Sequence, residues 1–153
     1  MSGKPVQHQY AEQLCHCYGC GYLNRQGLQV KSYFDGIESE ARFFPKSYHI
    51  ALPGFVYGGL LASLVDCHGV ATAAAFATAK RDPEMNCSMD RYVTASLHVY
   101  FMKPTPLGEE LVLKGRFKEE RKNKIVVEVE IRVGDEIKVR GEVVAAPMPD
   151  SMK

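Results

Sequence analysis

One stretch of the sequence constrains the fold more than any other, an apolar run rich in small residues from Pro53 to Ala79. A Pro-Gly turn and the pair Gly58-Gly59 open this run, and alanines fill much of its second half. Its larger apolar side chains recur at helical spacing, at Leu60, Leu61, Leu64 and Val65. The pattern predicts one helix of about 20 residues.

A helix of that length would cover roughly 30 Å, which is the length that a membrane span requires. Asp66 and His68 near its middle, together with the many glycines and alanines, argue against a membrane span. An apolar helix in a chain of this composition is instead one that other structure surrounds, and its small side chains let a sheet approach closely. A carboxylate held in such a helix makes Asp66 the first candidate for a functional residue.

The length of 153 residues and the charge balance limit the class of protein. The length predicts one domain, residues 1–153, with an N-terminal extension and cysteine-rich loop over residues 1–26 and a flexible tail over residues 147–153. The 19 Lys and Arg residues against 18 Asp and Glu residues give a net charge of +1, which predicts no nucleic-acid and no membrane partner. No signal-peptide pattern is visible, and five cysteines, an odd number, fit free thiols in a cytoplasmic protein.

Four possible metal ligands are crowded into one glycine-punctuated loop, at Cys15, His16, Cys17 and Cys20. A structural zinc site usually needs two ligand pairs separated by a loop, and the sequence has no second CxxC or HxxxH pair. We therefore favour a structural loop with free thiols and expect no metal ion, with a metal site in this loop as the alternative. Cys67 and Cys87 are interpreted as small core residues.

The remaining chain has the pattern of β-strands. Alternating apolar and polar residues predict a hairpin over residues 28–44 with its turn at Asp35-Gly36, and residues 7–14 fit a short helix. After the long helix, strands are predicted over residues 92–102, 110–117, 125–133 and 137–146, with a charged turn at residues 118–124. A hairpin, a helix and a meander of four strands predict an α+β fold, an antiparallel sheet wrapped around one long central helix.

Two motifs carry a resemblance to a known family. The segment His49-Ile-Ala-Leu-Pro-Gly-Phe-Val-Tyr57-Gly58-Gly59 precedes Asp66, and Thr94 stands near the start of the next predicted strand. They resemble the HGG…D signature and the Ser/Thr-led strand of hotdog-fold acyl-CoA thioesterases, in the branch typified by phenylacetate-pathway enzymes. The resemblance implies a hotdog fold, hydrolysis of an acyl-CoA to a free acid and CoA, and a homodimer or dimer of dimers. It implies no cofactor, since CoA is part of the substrate.

The resemblance also assigns catalytic roles. The backbone amide of Gly58, at the N-terminus of the helix, would stabilise the oxyanion. Asp66 would act as general base or as nucleophile, and Thr94 would position water or the carboxylate. The plainer alternatives are that Asp66 is a solvated or lysine-paired carboxylate and that Thr94 is an ordinary strand residue. His68 is expected to be structural, because two residues from Asp66 it lies on another face of the helix.

Binding positions follow from the same resemblance. The substrate-binding candidates are Tyr57, Gly59, His49 and Phe55. Arg121 and Lys122 are candidates for holding the CoA phosphates, although a charged run of this kind is usually a solvated turn. Gly58 and Asp66 lie eight residues apart, which is about 12 Å along one helix. That distance is too long for both to act on one thioester, so we expect the site to be shared between subunits.

Two departures from the family pattern leave other functions open. Tyr57 replaces the usual His before the glycine pair, and Ala51 stands where related thioesterases often carry Asn. One alternative is a hotdog hydratase or dehydratase acting on hydroxyacyl thioesters, in which His49 pairs with Asp66. The other is a non-catalytic dimer that binds acyl-CoA.

Overall fold

One long helix, α1 (Gly58–Arg81), packs against a six-stranded antiparallel sheet in the computed structural model, which describes residues 3–153. The strands are β1 (Ser32–Phe34), β2 (Glu38–Phe43), β3 (Tyr92–Phe101), β4 (Leu111–Arg121), β5 (Lys124–Val133) and β6 (Glu136–Pro147). The predicted α+β architecture is thereby confirmed. The first two residues of the predicted domain and of its N-terminal extension lie outside the described residues.

Several boundaries differ from the prediction for local reasons. α1 begins at Gly58, after the Pro-Gly turn, because Tyr57 keeps an extended conformation with φ −61° and ψ 128°. β1 begins at Ser32, later than predicted, after Gln29 takes a left-handed φ of 54°. The predicted helix at residues 7–14 is instead two 3₁₀ turns, Val6–Gln9 and Glu12–Leu14. The predicted flexible tail contains the last residue of β6 and one 3₁₀ turn, Asp150–Met152.

The predicted meander of the last four strands is correct for β4, β5 and β6 and wrong for β3. The order across the sheet is β1-β2-β4-β5-β6-β3, so β3 pairs with β6 at the end of the sheet and β4 pairs with β2. The segment between β3 and β4 is too long for a hairpin turn and passes beside the loop before α1. Two backbone bonds fix it there, from Val56 N–H to Thr105 C=O at 2.9 Å and from Leu107 N–H to Gly54 C=O at 2.8 Å.

The charged run at residues 118–124 is mostly strand, not turn. β4 continues to Arg121 and β5 starts at Lys124, so the turn is only the two residues between them. Lys122 in that turn has a φ of 57°. The register of β4 against β5 shifts between Phe117 and Glu119, and pairing then continues to Arg121 and Lys124. The hairpin contacts the end of α1 through the stacked rings of Phe76 and Phe117, while most of its charged side chains are exposed.

Glycines allow the close contact between helix and sheet that the small-residue pattern predicts. A Cβ on Gly69 of α1 would lie 2.5 Å from Cγ2 of Val143 in β6. A Cβ on Gly141 of β6 would lie 2.3 Å from Cγ1 of Val65 in α1. Contacts this short do not occur between real side chains, so any larger residue at either position would push the helix away from the sheet.

Of the 24 residues of α1, 13 are buried inside the fold. Leu64 and Val65 are fully buried against Leu113, Val129 and Val143 of the sheet. One 18-residue window of α1 has a mean hydropathy of 1.5, enough by length and composition for a membrane span, and 67% of that window is buried inside the fold. The helix therefore occupies the position predicted for it, surrounded by other structure.

His68 lies at the centre of a buried polar network. Its Nδ1 is 2.8 Å from Ser32 Oγ and its Nε2 is 3.1 Å from Ser39 Oγ, so both ring nitrogens have partners. Gln7 completes the network by donating to Ser32 Oγ at 2.9 Å. The network joins α1, β1, β2 and the N-terminal segment, which agrees with the structural role expected for His68.

Candidate active site

Asp66 and Thr94 come together across the boundary between α1 and β3. The Thr94 hydroxyl donates a hydrogen bond of 2.5 Å to Asp66 Oδ1. The register of β3 against β6 shifts between Thr94 and Ser96, a bulge of the kind that re-aims side chains at functional sites. Within residues 3–153 no other group hydrogen-bonds to this carboxylate, so its second oxygen is available to a ligand.

A cavity of about 180 Å³ opens onto the Asp66–Thr94 pair. Its walls include Tyr10, Arg91 and Tyr92. Burial raises the pKa of Asp66 above its ordinary value, and the hydrogen bond from Thr94 and the positive charge of Arg91 only partly oppose this effect. The result is a half-buried carboxylate that is a stronger base than one on the surface.

Gly58 presents its amide at the first turn of α1. Tyr57 makes no side-chain capping bond, and in the described chain the N–H groups of Gly58 and Gly59 have no backbone acceptor. The Phe101 ring lies beside Gly58, 3.5 Å from the position of an added Cβ. These donors, at the positive end of the helix dipole, are suited to a developing negative charge.

The structure does not bring Gly58 and Asp66 to one cavity. Both lie on α1, eight residues and about 12 Å apart. Gly58 faces the end of β3 at Phe101, whereas Asp66 faces its beginning at Thr94. Within one chain the two predicted catalytic groups are therefore separate.

Three of the four predicted substrate-binding residues line one cavity near the start of α1. Tyr57, Gly59 and His49 border a space of about 260 Å³, together with Leu60 and Ser63. The Tyr57 ring lies over Gly59, where an added Cβ would be 2.5 Å from the ring, so Gly59 provides the room for that ring.

His49 and Phe55 differ in how they meet this cavity. His49 accepts a hydrogen bond of 3.0 Å at Nδ1 from the Lys46 N–H, and burial lowers its pKa, with a further contribution from the charge of Lys46. Phe55 pairs through its backbone with Pro106, is 42% exposed and does not border the cavity. His49 and Asp66 line different cavities, so one chain does not form the His–acid pair of a hydratase.

The two predicted phosphate-binding residues have different surroundings. Arg121 forms an ion pair with Glu119 at 2.5 Å on the exposed hairpin. Lys122 and Lys124 line an open cleft of about 510 Å³. Lys80 and Arg81 line it as well, each in an ion pair with a carboxylate of the same cleft, Glu120 and Asp90. Tyr92 borders both this cleft and the Asp66 cavity, so the two are neighbours. The only signal for Lys80 and Arg81 in the sequence was their place in the last turn of the helix.

Sequence reasoning also missed a second basic cleft. It has a volume of about 710 Å³ and its cationic side chains are Arg25, Lys31, Arg42 and Lys46. It shares His49 and Tyr48 with the cavity near the start of α1. These four cations are scattered over residues 25–46, and only the fold of the N-terminal loop against β2 assembles them.

Cys67 packs against the hydrophobic core, as predicted, but it is only half-buried. It also lines the Asp66 cavity together with Cys17 and Cys20, which the sequence did not predict. Cys87 is likewise half-buried, on the segment after α1. Because Cys67 is next to Asp66 on the helix and the other two lie in the N-terminal loop, their meeting depends on tertiary structure that the local pattern did not indicate.

Comparison with known proteins relates this geometry to a family. The family model of the Thioesterase superfamily matches residues 53–144, which include Gly58, Asp66 and Thr94. A crystal structure of a Thioesterase superfamily protein from Shewanella loihica PV-4 is 42% identical, covers 94% of this chain and 99% of its own, and superposes with a TM-score of 0.69. The chain belongs to the Thioesterase superfamily. This confirms the predicted superfamily.

More distant structures share the fold of this superfamily member. The Escherichia coli PaaI protein from the phenylacetic acid degradation operon is 14% identical over 80% of this chain and 81% of its own, with a TM-score of 0.65. The smu.793 protein from Streptococcus mutans UA159, solved with bound acetyl-CoA, is 15% identical over 78% of this chain and 88% of its own, with a TM-score of 0.64. The similarity to these structures and to the S. loihica protein confirms the predicted hotdog fold. A comparison with curated proteins gives no match.

Proposed function

We propose that this superfamily member hydrolyses an acyl-CoA to a free acid and CoA, using Asp66 and Thr94 of one subunit and the Gly58 amide of the partner subunit. The observation that carries the proposal is the half-buried Asp66 carboxylate held by the Thr94 hydroxyl at 2.5 Å. Superfamily membership supports a thioester substrate. The acetyl-CoA bound by the S. mutans protein of the same fold supports an acyl-CoA in particular.

The chemistry uses the free oxygen of Asp66. As general base, Asp66 takes a proton from a water molecule while the water oxygen bonds to the thioester carbon. The carbonyl oxygen becomes an oxyanion that accepts a hydrogen bond from the Gly58 N–H. When the intermediate collapses, the C–S bond breaks and the proton on Asp66 passes to the departing CoA sulfur.

The alternative role of Asp66 is nucleophilic. Its oxygen would then bond to the thioester carbon and expel CoA, leaving a mixed anhydride that water opens. Single-turnover hydrolysis in ¹⁸O-labelled water tests for an anhydride that water opens at the aspartyl carbon. Label in the Asp66 carboxylate identifies the anhydride, and on the general-base route the label is found only in the released acid.

The position of β3 at the sheet edge supports the proposed sharing of the site. Leu97, Tyr100 and Phe101 on this edge strand are exposed large hydrophobic residues, 37–61% accessible. Antiparallel pairing of two β3 strands about a two-fold axis between Leu97 and His98 places Thr94 opposite the partner's Phe101. Since Gly58 lies beside Phe101, this pairing brings the partner's Gly58 towards Asp66 and Thr94.

We assign the remaining parts of the substrate to two further cavities. The cavity bordered by His49, Tyr57 and Gly59 of the subunit that supplies the Gly58 amide accepts the acyl group. The cleft lined by Lys122, next to the Asp66 cavity, accepts the CoA phosphates. No further cofactor takes part in this hydrolysis.

The decisive experiment measures thioester cleavage with a panel of short, long and aromatic acyl-CoAs. Because all five cysteines are free, released CoA is followed by chromatography instead of a thiol dye. We expect Asp66→Asn to abolish turnover while the protein stays folded and keeps its assembly state. A variant as fast as the parent, or hydration of an enoyl-CoA without CoA release, would contradict the proposal. Tight acyl-CoA binding by the parent without turnover would indicate the binding protein instead.

Subunit complementation tests whether the site is shared. Alone, Asp66→Asn subunits are expected to be inactive and Gly58→Pro subunits to keep at most about 1% of the parent activity. Mixed dimers contain one site with Asp66, Thr94 and an intact Gly58 amide, so mixing the unfolded variants and refolding them together restores part of the activity. No recovery from dimers shown by mass to be mixed would contradict the shared site.

A further inference from the structure

Three cysteine sulfurs meet beside the Asp66 cavity although they come from two distant parts of the chain. Sγ of Cys17, Cys20 and Cys67 all lie within 4.8 Å of one another. The Cys17 and Cys67 sulfurs are 4.0 Å apart, and these residues are 50 positions apart in sequence. The hydrolysis proposed above gives none of these thiols a role.

The loop that carries Cys17 and Cys20 is built to reach α1. A Cβ on Gly19 would lie 2.2 Å from the Cys67 sulfur, so glycine at this position lets the loop backbone contact the helix. A Cβ on Gly21 would lie 2.4 Å from the Cys17 backbone nitrogen. Backbone bonds hold the arrangement, from Gly21 N–H to Cys17 C=O at 2.8 Å and from Val30 N–H to Gly19 C=O at 3.1 Å.

The spacing of the sulfurs fits a thiolate-bound ion. Zinc–sulfur bonds of about 2.3 Å in a tetrahedral shell place neighbouring sulfurs about 3.8 Å apart. The observed separation of 4.0 Å between Cys17 and Cys67 is close to that value, and no two of the three sulfurs are more than 4.8 Å apart. Three sulfur ligands select a thiophilic ion such as zinc over magnesium or calcium, which require oxygen.

Two charged residues line the cavity beside the cluster, Arg91 and Asp66. Asp66 stands next to Cys67 on α1, so one carboxylate adjoins the three sulfurs. Metal binding releases the thiol protons, so the ion would hold the cysteines as thiolates.

We propose that Cys17, Cys20 and Cys67 bind one zinc ion, with the fourth coordination position open to the Asp66 cavity. Such an ion ties the N-terminal loop to α1 immediately beside the carboxylate. Two cysteines lie outside the site: Cys15 is buried and its thiol points to the backbone carbonyls of Gln7, Tyr10 and Ala11, and Cys87 lies on the segment after α1.

The test measures metal binding directly and needs no substrate. The protein is purified under reducing conditions, loaded with zinc, freed of excess ion and assayed for metal content per chain. We expect one zinc ion per chain in the parent and in Cys87→Ser, the matched control. Cys17→Ser and Cys67→Ser are expected to lose more than about 100-fold in zinc affinity, since even partners behind the ligands are worth about 10–100-fold.

Cobalt gives an independent readout of the ligands. Replacing zinc by Co²⁺ is expected to produce thiolate-to-cobalt charge-transfer bands that are weaker in Cys20→Ser, which serves as the third ligand variant if another fails to fold. A reduced parent protein that retains no zinc would overturn the proposal. Equal loss of zinc in Cys87→Ser and Cys67→Ser would also overturn it. Either result would leave the thioesterase assay with Asp66→Asn unaffected.

Discussion

Asp66 and Thr94 are 28 residues apart in sequence, and a single hydrogen bond of 2.5 Å joins them. This bond connects the central helix to the edge strand β3, at a bulge that turns the Thr94 side chain. The orientation of the carboxylate thus depends on the strand that we place at the subunit interface. Assembly and catalysis are therefore coupled in the proposed mechanism.

Removing the Thr94 hydroxyl tests that orientation. Thr94→Val keeps the shape of the side chain and loses the donor, so we expect kcat to fall about 10- to 100-fold, as for other small misplacements of a catalytic group. Thr94→Ser keeps the hydroxyl and should retain most activity. Steady-state kinetics on the best acyl-CoA measures both variants. Equal rates for Val and Ser at this position would mean that the hydrogen bond has no part in hydrolysis.

The Gly58 amide can be removed with little change in the helix. Proline is well tolerated at the first position of a helix, and the extended conformation of Tyr57 suits the residue before a proline. We expect Gly58→Pro to lower kcat about 100- to 1000-fold, the usual cost of one oxyanion donor.

Gly58→Ala is the control for added bulk at this position. Its Cβ would meet the Phe101 ring at an ordinary 3.5 Å, and its N–H is kept. If the alanine variant lost as much activity as the proline variant, space at this position and not the amide would be what matters. Circular dichroism of both variants checks the helix.

Lys122 should contribute to binding of the CoA phosphates. We expect Lys122→Ala to raise KM for acyl-CoA about two- to fivefold, because an exposed charge pair is worth up to about 1 kcal/mol. Arg121→Ala is the matched control, since Arg121 is already paired with Glu119 and lies outside the cleft. An acyl-pantetheine lacking the phosphates should respond to neither substitution. A larger effect of Arg121→Ala would place the phosphates on the other side of the hairpin.

Burial of His68 makes stability depend on pH. Burial lowers the pKa of His68 from 6.5 to about 4 in the folded protein. Below pH 6.5 the unfolded chain gains a proton that the folded chain does not, so this contribution is complete above that pH and is lost as the pH falls towards 4. The expected loss is about 2 kcal/mol between about pH 7 and about pH 5.

Urea unfolding of the reduced, zinc-free protein at both pH values measures this loss. The carboxylates that titrate in the same range contribute to both proteins, so the comparison is the difference between the parent and His68→Gln. The exposed residue His16 provides the control, because His16→Gln should keep the full loss. The same pH dependence in parent and His68→Gln would show that another group is responsible.

The sequence predicted the parts of the fold that follow from local pattern. The run of small residues predicted the central helix and its close contact with the sheet. Glycines such as Gly69 let the helix approach the sheet, because a side chain at that position would collide with Val143. Strand existence followed from alternation, but strand order did not. The connection after Phe101 runs from the edge strand β3 past β6 and β5 to β4. No local feature of the sequence determines which strand a connection of that length reaches.

The sequence also predicted part of the candidate site. The meeting of Asp66 with Thr94 agrees with the family motif, and the separation of Gly58 from Asp66 agrees with the helix geometry. The place of Cys67 beside the N-terminal loop could not be predicted, because it depends on how residues 15–30 fold back onto α1. The two basic clefts likewise collect side chains from separate elements.

The two edges of the sheet are unequal, and this limits how copies of the protein can grow into larger structures. β3 offers ten residues of edge, whereas β1 at the opposite end offers three. Once two β3 strands pair, the joined sheet ends on both sides in a β1 edge too short to template another chain. In the proposed dimer the sheet is therefore closed, with no long edge left from which an open-ended fibre could extend.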